Sequence, residues 1–345
     1  MEGPDQYELE RYQRQTDLQN VGKEGQKKLS QAKVLIIGIG GLGCPAAQYL
    51  VAAGIGNIGL MDHDKVSLSN LQRQILFGEK DLEKNKAICA QKKLQELNSH
   101  VNYSVFPEAL TPENALNILK DFDLVIDGTD NFETKYLIND ATLLLEKPMV
   151  FGSVYKFEGQ LSTFNYQGGP SYRCIFPQHH TLDPNSCIDT GVIGILPGIV
   201  GTMQAMEAIK IILDIGEVYS GKMKIFNTLT NQEQIVSFDR NESEIQQVLE
   251  KGLATESNMQ ACMSDDTLYI DVREFDELPE ISHITSLRIP LSQLESRLNE
   301  IPREQNVILF CQTGKRSQQA LTFLKQKHGF DNLHHLNGGI KELER

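Results

Sequence analysis

The stretch VLIIGIGGLGCPAAQYL, residues 34–50, constrains the fold more than any other part of the chain. An apolar strand leads into a turn with Gly38, Gly40 and Gly43 in G-x-G-x-x-G spacing, and a helical pattern follows. In an open α/β sheet, the N–H groups of such a turn bind phosphate, and an acid at the end of the next strand binds ribose. Asp62, 24 positions after Gly38, is that acid. The sequence therefore predicts a Rossmann-like nucleotide site, with a structural glycine turn lacking a ligand as the alternative.

Strand-like and helical runs alternate from residue 33 to about residue 238. This alternation predicts a doubly wound, mostly parallel sheet with helices on both faces. Later runs, EGQLSTFNY and KMKIFNTLTNQEQIVSF, are hairpin-like and predict an antiparallel extension of the sheet. The parallel strand candidates are KVLIIG, NIGLMD, VNYSVF, DLVIDG and PMVFGSV.

A second, smaller α/β pattern follows a polar stretch. Its strand candidates are TLYIDV and NVILFC, and its helix candidate is SQQALTFLKQK. We therefore expect a large domain over residues 1–240, a linker with at most one short helix over residues 241–264, and a small α/β domain over residues 265–345.

Charge and composition exclude several classes of protein. The net charge is −13, from 33 basic and 46 acidic residues, which argues against nonspecific binding to nucleic acid. The first 15 residues are polar and acidic, unlike a signal or transit peptide. Polar residues interrupt the longest apolar tract, GVIGILPGIVGTMQAMEAIKIIL, so a buried loop and helix is expected there and not a membrane span. Six scattered cysteines suit a reducing compartment, and we expect a cytoplasmic protein.

Residues beyond the ribose acid distinguish a dinucleotide from a triphosphate. Arg73, at the end of SLSNLQRQ, and Lys86 supply the bidentate and point-charge contacts that a triphosphate needs, and Asp130 follows a strand where a carboxylate can hold Mg²⁺. The alternatives are that Arg73 and Lys86 are solvated surface residues, and that Asp130 caps a helix starting near Phe132.

The motifs RYQRQ, GIGGLG, LMDHDKVSLSNLQRQ, GTDN and GVIGILPGIVGTMQAMEAIK occur in an order that resembles the MoeB/ThiF group of ubiquitin-activating-like adenylyltransferases. The resemblance covers residues 12–238. It implies an enzyme that uses ATP and Mg²⁺ to adenylate the C-terminal glycine of a small ubiquitin-like sulfur carrier ending in Gly-Gly, with release of pyrophosphate.

The same resemblance implies roles for individual residues. Asp62 holds the ribose, Asn70, Arg73 and Lys86 face the phosphates, and Asp130 binds magnesium. Arg14 enters the ATP site of a partner subunit, so a homodimer is implied. The implied nucleotide site as a whole consists of Gly38, Gly40, Gly41, Gly43, Asp62, Ser69, Asn70, Leu71, Gln72, Arg73, Lys86, Asp130 and Asn131.

The chain departs from the family pattern where most relatives bind structural zinc through two C-x-x-C pairs. In the first pair region it reads SYRC, with Ser171 in place of a cysteine and only Cys174 kept, and the second region, DRNESEI, has no cysteine. A serine hydroxyl is a poor zinc ligand, so we expect no zinc here. His179 and His180 lie nearby and are interpreted as loop residues.

Two other cysteines lie in motifs of the large domain. Cys187, in NSCIDTGVIG, matches a cysteine that forms a thioester or disulfide with the carrier in some relatives, and an inert loop cysteine is the alternative. Cys44, beside Pro45 in the glycine turn, is expected to pack and not to react.

Cys311 follows a strand and opens the loop CQTGKR before a helix. Backbone N–H groups of such a loop stabilise an anion, and Lys315 and Arg316 add positive charge, so a reactive thiolate is expected. A buried strand-end cysteine is the alternative. With IDVRE, SHITSLRIPL and HLNGGI, the region resembles a rhodanese domain, whose loop cysteine carries a persulfide.

Together the two domains predict carrier adenylation followed by sulfur transfer from a Cys311 persulfide to give a thiocarboxylate, with a cysteine desulfurase as one possible sulfur source. The pathway is open among molybdopterin, thiamin, cysteine and tRNA thiolation. The alternatives are an activating enzyme that conjugates its carrier through a Cys187 thioester, a nicotinamide oxidoreductase, and a dimeric scaffold without turnover.

Overall fold

The computed structural model describes residues 10–177, 191–253, 267–278, 286–303, 305–330, 332–336 and 339–342, with the backbone alone for Lys315, Gln326, Lys341 and Glu342. The chain forms two compact units, Met1–Ala254 and Thr255–Arg345. Each is described by itself.

The first unit alternates strands and helices as the sequence predicts. Its strands are β1 (Lys33–Ile37), β2 (Asn57–Met61), β3 (Asn102–Phe106), β4 (Leu124–Asp127), β5 (Met149–Tyr155), β6 (Glu158–Phe164), β7 (Lys222–Asn227) and β8 (Gln232–Ser237). Its helices are α1 (Gln13–Thr16), α2 (Gly22–Gln31), α3 (Gly43–Ala53), α4 (Lys86–Leu97), α5 (Pro112–Leu119), α6 (Phe132–Leu144), α7 (Tyr172–Ile175), α8 (Ile195–Leu213) and α9 (Glu242–Lys251), with 3₁₀ turns at Leu68–Asn70 and Glu79–Asp81.

These strands form one eight-stranded sheet in the order β3-β2-β1-β4-β5-β6-β7-β8. The pairs from β3 to β5 are parallel, and those from β5 to β8 are antiparallel. The predicted doubly wound sheet with an antiparallel extension is therefore confirmed. Because β2, β1 and β4 are parallel neighbours, their carboxyl ends meet at one edge.

Strand β1 shows why both faces of the sheet are covered. Every residue after Lys33 is buried. Val34 and Ile36 belong to a core with α3 and α4, and Leu35 and Ile37 belong to a second core with α5 and α6. A strand buried on both faces reads as a continuous apolar run, which is the pattern of VLII.

Helix α8 is, among the described residues, the one helix long and apolar enough to cross a membrane by length and composition. It packs instead against α3 and β5, and Leu196, Val200 and Ala208 are fully buried. This is the packing of a core helix, as the interrupted apolar tract predicts.

Helix α9 lies within the stretch expected as a linker. Asn241 caps it by accepting hydrogen bonds from the backbone N–H groups of Ser243 and Glu244. Ile245 and Val248 are buried against Leu143 of α6. The first unit thus includes this helix.

The second unit is a smaller parallel sheet in the order β10-β9-β11-β12. Its strands are β9 (Leu268–Asp271), β10 (Ser286–Arg288), β11 (Val307–Phe310) and β12 (Leu333–His335). Its helical elements are α10 (Lys315–His328) and the 3₁₀ stretches Leu291–Glu300 and Gly339–Glu342. The predicted small α/β domain is confirmed.

Candidate functional site

The glycine turn between β1 and α3 requires glycine at two positions because the backbone packs closely on itself. Gly38 has a φ of +87°, and a Cβ there would lie 2.7 Å from the carbonyl oxygen of Gly128, in the loop after β4. A Cβ on Gly43 would lie 2.0 Å from the carbonyl oxygen of Gly38. The turn after β1 and the loop after β4 therefore touch at the carboxyl edge of the sheet, where ligands bind in this architecture.

Asp62 connects the end of β2 to the glycine turn. Its Oδ2 accepts a hydrogen bond from the backbone N–H of Ile39 at 2.8 Å, and its Oδ1 accepts one from that of Asp64 at 2.8 Å. Burial raises the pKa of Asp62, and the charge of Lys86 opposes that rise. The carboxylate oxygens keep further acceptor capacity for a ribose hydroxyl.

Lys86 opens α4 and is only 5% exposed, so it is not a solvated surface lysine. Its Nζ donates to Oδ2 of Asp64 at 2.8 Å. Partial burial would raise the pKa of Asp64, but the hydrogen bond and charge of Lys86 outweigh this effect and lower it. The ammonium group is thus held beside the end of β2, with one largely exposed carboxylate as its counter-ion.

The segment SLSNLQRQ folds around the 3₁₀ turn Leu68–Asn70. Oδ1 of Asn70 accepts a hydrogen bond from the backbone N–H of Ser67 at 3.3 Å, and the guanidinium of Arg73 donates to the carbonyl oxygen of Ser69 at 3.1 Å. Both side chains thus make hydrogen bonds within the segment and stabilise its conformation. Ser69 and Gln72 are exposed, and Asn70, Leu71 and Arg73 are partly buried.

Gly41 and Gly40 are each approached by another segment. A Cβ on Gly41 would lie 2.8 Å from Pro197 at the start of α8 and 3.5 Å from Cδ of Arg73. A Cβ on Gly40 would lie 3.6 Å from Nε2 of Gln74, a buried side chain whose Oε1 has no hydrogen-bond partner among the described residues. The absence of a side chain at Gly41 therefore lets α8 pack against the turn, whereas a Cβ at Gly40 would make only ordinary van der Waals contact with Gln74.

Asp130 lies exposed in the loop after β4, and it does not cap α6. The cap is Asn131, whose Oδ1 accepts a hydrogen bond from the backbone N–H of Thr134 at 2.8 Å. The helix-cap alternative for Asp130 is therefore wrong. Its loop follows β4 and so lies at the same sheet edge as the end of β2, beside which Asp62 and Lys86 lie.

Arg14, expected to act in a partner subunit, is exposed on α1, which packs on α2. An apolar groove lies beside this helix, between the α1–α2 turn and α8. Leu18 and Met206 line the groove and are 57% and 51% exposed.

In the second unit, Cys311 directly follows β11 and is 1% exposed. Burial would raise the pKa of its thiol, but the backbone N–H groups of Ser317, Thr313 and Arg316 and the hydroxyl of Ser317 outweigh burial and lower the pKa. The loop thus stabilises negative charge on this sulfur, as the sequence predicts.

The positive charge expected from Arg316 is, in contrast, already paired. Its guanidinium binds both carboxylate oxygens of Glu277, at 2.5 and 2.6 Å. The hydrogen bond from Arg316 lowers the pKa of Glu277 to about 2, so the pair stays charged at neutral pH. The loop amides, more than a free Arg316, therefore stabilise the Cys311 anion.

Arg273 fixes the cysteine loop from the side of β9. This fully buried side chain donates through Nε and NH2 to the carboxylate of Asp271 at 3.0 and 2.8 Å. Its NH1 donates to Oε1 of Gln312, the residue after Cys311, at 3.3 Å.

Two protein families match this chain. The ThiF family matches residues 12–247, and the rhodanese-like domain family matches residues 255–345. The chain belongs to the ThiF family. Its second unit is a rhodanese-like domain.

Curated relatives align with one domain or with both. A sulfur carrier protein adenylyltransferase of Thermus thermophilus is 47% identical over an alignment of 228 positions that covers 64% of this chain and 84% of the relative. The adenylyltransferase and sulfurtransferase MOCS3 of Drosophila sechellia is 37% identical over an alignment of 374 positions that covers 96% of this chain and 82% of the relative. The expected enzyme class, an adenylyltransferase joined to a sulfurtransferase domain, is confirmed.

Solved structures also share the fold. PaaA has a TM-score of 0.59 at 22% identity, covering 70% of this chain and 76% of its own. Escherichia coli MccB with ATP has a TM-score of 0.57 at 23% identity, covering 63% of this chain and 66% of its own. At these identities the likeness concerns the fold alone, and it agrees with the Rossmann-like sheet.

In the ThiF domain, the SYRC segment and the segment DRNESEI, where the family resemblance implies zinc-binding cysteine pairs, lie side by side. Sγ of Cys174 accepts hydrogen bonds from the backbone N–H groups of Ser171 at 3.3 Å and Asn241 at 3.2 Å. One thiol and two amides thus join α7 to the start of α9. The lack of zinc at this position stays a prediction.

Cys187, His179 and His180 lie outside the described residues, so their proposed roles stay predictions.

Three charged residues near the two sites were missed by reasoning from the sequence. Asp127 and Lys135 of the ThiF domain form a buried ion pair, and Glu277 of the rhodanese-like domain binds Arg316. The available signal for the first pair was an acid that ends an apolar strand, followed eight residues later by a lysine in a helix. For Glu277 no local pattern marked the partner, which is 39 residues away.

Proposed function

We propose that the ThiF domain adenylates the C-terminal glycine of a ubiquitin-like sulfur carrier and that the rhodanese-like domain supplies sulfur from a Cys311 persulfide to form a thiocarboxylate. The observation that carries the first step is that the glycine turn contacts both Asp62 and the loop of residues 128–131, which includes Asp130, at the sheet edge where Lys86 also lies. The names of the aligned relatives support both steps.

The charges at this edge suit attack by a carboxylate on the α-phosphate of ATP. Two anions must approach each other, so cations have to offset their charge while the groups are held in line. Arg73 and Lys86 supply that charge, and Asp62 orients the nucleotide through its ribose. Positioning alone can supply about 7 to 11 kcal/mol of the barrier reduction. No side chain has to act as a base, because the nucleophile is already an anion.

Asp130 is the residue that would hold Mg²⁺. Its exposed carboxylate is not used to cap α6 and follows a strand at the nucleotide edge, and Mg²⁺ binds through one or two carboxylates together with phosphates and water. When bound, the ion neutralises charge on the phosphates and on the leaving pyrophosphate.

The sulfur step is balanced as two displacements. The terminal sulfur of the Cys311 persulfide attacks the carbonyl carbon of the acyl-adenylate, and AMP leaves with the electron pair of the C–O bond. A thiolate, for which Cys187 is the candidate within this chain, then attacks Sγ of Cys311. The thiocarboxylate leaves, a disulfide remains, and a cellular dithiol reduces it. The upstream persulfide source is a cysteine desulfurase.

The first test is ATP–pyrophosphate exchange that depends on a carrier ending in Gly-Gly. Asp130→Ala should abolish exchange, since the metal site is lost, and leave the fold intact by circular dichroism. Asp121→Ala is the matched control, because it removes an exposed carboxylate at the opposite end of β4. Normal exchange in Asp130→Ala would contradict the magnesium assignment. Zinc analysis of the purified protein should find no stoichiometric metal.

The proposed homodimer rests on Arg14 and on the exposed apolar groove beside α1. Arg14→Ala and Asp130→Ala should each be inactive as pure proteins. Their mixture should regain about a quarter of the wild-type exchange rate, because half of randomly formed dimers are mixed and each mixed dimer has one intact site. Lack of recovery after verified subunit exchange would contradict a shared site.

A further inference from the structure

A buried ion pair lies beneath the loop that carries Asp130. Asp127, the last residue of β4, is fully buried, and Lys135, in the first turn of α6, is 5% exposed. Nζ of Lys135 lies 2.7 Å from Oδ2 of Asp127 and donates to the carbonyl oxygen of Gly152 at 3.1 Å. Burying two charges is costly unless both are well bonded, so a pair at this position calls for an explanation beyond packing.

The pair closes the loop into a ring. The chain leaves β4 at Asp127, runs through residues 128–131 and enters α6, which returns Lys135 to Asp127. The other carboxylate oxygen, Oδ1, accepts hydrogen bonds from the backbone N–H of Thr129 at 3.0 Å and from its hydroxyl at 2.6 Å. One oxygen of Asp127 thus holds the helix and the other holds the loop, with Asp130 between them.

Two further contacts connect this ring to the rest of the site. Gln204 of α8, which is fully buried, donates through Nε2 to the carbonyl oxygens of Asp127 at 2.7 Å and Val150 at 3.0 Å. Gly128 packs against the glycine turn, since a Cβ there would lie 2.4 Å from the carbonyl oxygen of Gly38. A displacement of the loop would therefore move both Asp130 and the turn.

We propose that Asp127 and Lys135 are positioning residues that hold the 128–131 loop so that Asp130 and the glycine turn keep the geometry required by a magnesium–nucleotide complex. They act through the loop and touch neither substrate nor product. Of the two measurements that test this inference, only the second rests on the proposed function.

The first measurement is amide hydrogen exchange of the nucleotide-free protein, read on a peptide that covers residues 128–131. Lys135→Met should speed exchange in this peptide about tenfold or more, whereas Lys135→Arg, which keeps the charge, should stay within about twofold of wild type. The matched control is Arg173→Met. Arg173 forms another buried pair with α6, through Asp140 at 2.7 and 2.6 Å, five residues beyond Lys135.

The second measurement is carrier-dependent ATP–pyrophosphate exchange at increasing free Mg²⁺. Lys135→Met should raise the half-saturating Mg²⁺ concentration about tenfold and keep most of the rate at saturation. Arg173→Met should leave the half-saturating concentration unchanged. If Lys135→Met does not fold, the double variant Asp127→Asn/Lys135→Gln, which leaves no single charge buried, takes its place in both measurements with the same expected directions.

Wild-type loop exchange in a folded variant that has lost the pair would overturn the proposal, and so would an equal change in Arg173→Met, which would indicate general loosening. A wild-type enzyme without carrier-dependent exchange would instead contradict the proposed function, and hydrogen exchange would still decide the role of the pair.

Discussion

Two cysteines of this chain each lie where a loop connects a strand to a helix. Their environments shift the pKa of the thiol in opposite directions. Cys44 is the second residue of α3, after the glycine turn, and Cys311 lies directly after β11, before the loop to α10. Both are buried. Burial raises the pKa of Cys44 to about 12, whereas the pKa of Cys311 is lowered.

The difference comes from the groups that face each sulfur. Sγ of Cys44 lies in the apolar core and donates to the carbonyl oxygen of Ile39 at 3.6 Å, and its burial outweighs the pKa-lowering effect of one backbone N–H, that of Leu76. Cys311 faces the N–H groups and the hydroxyl of its own loop. Proximity to a helix N-terminus is thus insufficient to activate a cysteine; enough donors must face the sulfur to outweigh its burial.

The two turns also obtain positive charge differently. At the glycine turn the cations proposed to bind phosphate come from distant segments: Arg73 follows a 3₁₀ turn, and Lys86, paired with the largely exposed Asp64, begins α4. At the cysteine loop the nearby cation Arg316 is neutralised by Glu277, and the stabilisation comes from amides. A site for a phosphate chain needs full charges, whereas one sulfur anion is served by a few oriented N–H groups.

The largest expected effect separates the two cysteines directly. Cys311→Ser should lower thiocarboxylate formation by about 10³-fold or more, because the persulfide carrier is lost, and leave pyrophosphate exchange unchanged. Cys44→Ser should keep both activities. Mass spectrometry of the carrier in a single turnover, beside the exchange assay, measures both. Thiocarboxylate formation at the wild-type rate in Cys311→Ser would show that the sulfur comes from elsewhere.

A smaller effect is expected when the glycine turn is disturbed. Gly38→Ala adds a Cβ 2.7 Å from the Gly128 carbonyl oxygen at a φ of +87° and should weaken ATP binding about 100-fold in calorimetry. Gly168→Ala is the control, because its φ is +73° but nothing lies within 4 Å. It should cost only about 1 kcal/mol of unfolding free energy. If Gly38→Ala bound ATP as tightly as the wild type, the turn would not bind the nucleotide.

The pH dependence of alkylation sharpens the comparison further. Only the thiolate reacts, so the lowered pKa of Cys311 should bring its alkylation by iodoacetamide to a plateau at a lower pH than an ordinary thiol. Ser317→Ala removes a hydroxyl donor and should move the midpoint up by about one pH unit. Cys44 should stay unmodified in the native protein up to pH 9. Peptide mapping after timed alkylation distinguishes the two sites.

The smallest effect concerns the stability of the rhodanese-like domain. Burial lowers the pKa of His335 to about 4, from an unfolded value near 6.5. Between these values the unfolded chain binds more protons, so the stabilising contribution is complete above about pH 6.5 and is lost as the pH falls towards 4. His335→Gln should flatten the dependence of the unfolding free energy on pH in this range, as measured by urea unfolding. An unchanged slope would mean that other groups cause the pH dependence.

Much of the fold could be predicted from the sequence because its strands are apolar runs bounded by glycine or acidic residues. KVLIIG, NIGLMD and DLVIDG all became neighbouring parallel strands with their acids or glycines at the carboxyl edge. The cap of α6 was less certain, since Asp130 and Asn131 are both good N-cap residues and only the geometry assigned the role to Asn131. In the sequence, nothing distinguishes Lys86 from a surface lysine, and only the packing of α4 shows that it is buried.

By itself, the sequence determined the order of strands and helices, the glycine turn and the cysteine loop, because these depend on local periodicity and on residue types with special backbone preferences. Only the tertiary structure decided which charges are paired: Lys135 with Asp127, Arg316 with Glu277 and Lys86 with Asp64. It also decided how deeply each cysteine is buried, whereas the donors that lower the pKa of Cys311 come from its own loop, as the sequence predicts. Burial and ion pairing depend on how the segments pack together, so they follow only once the chain is folded.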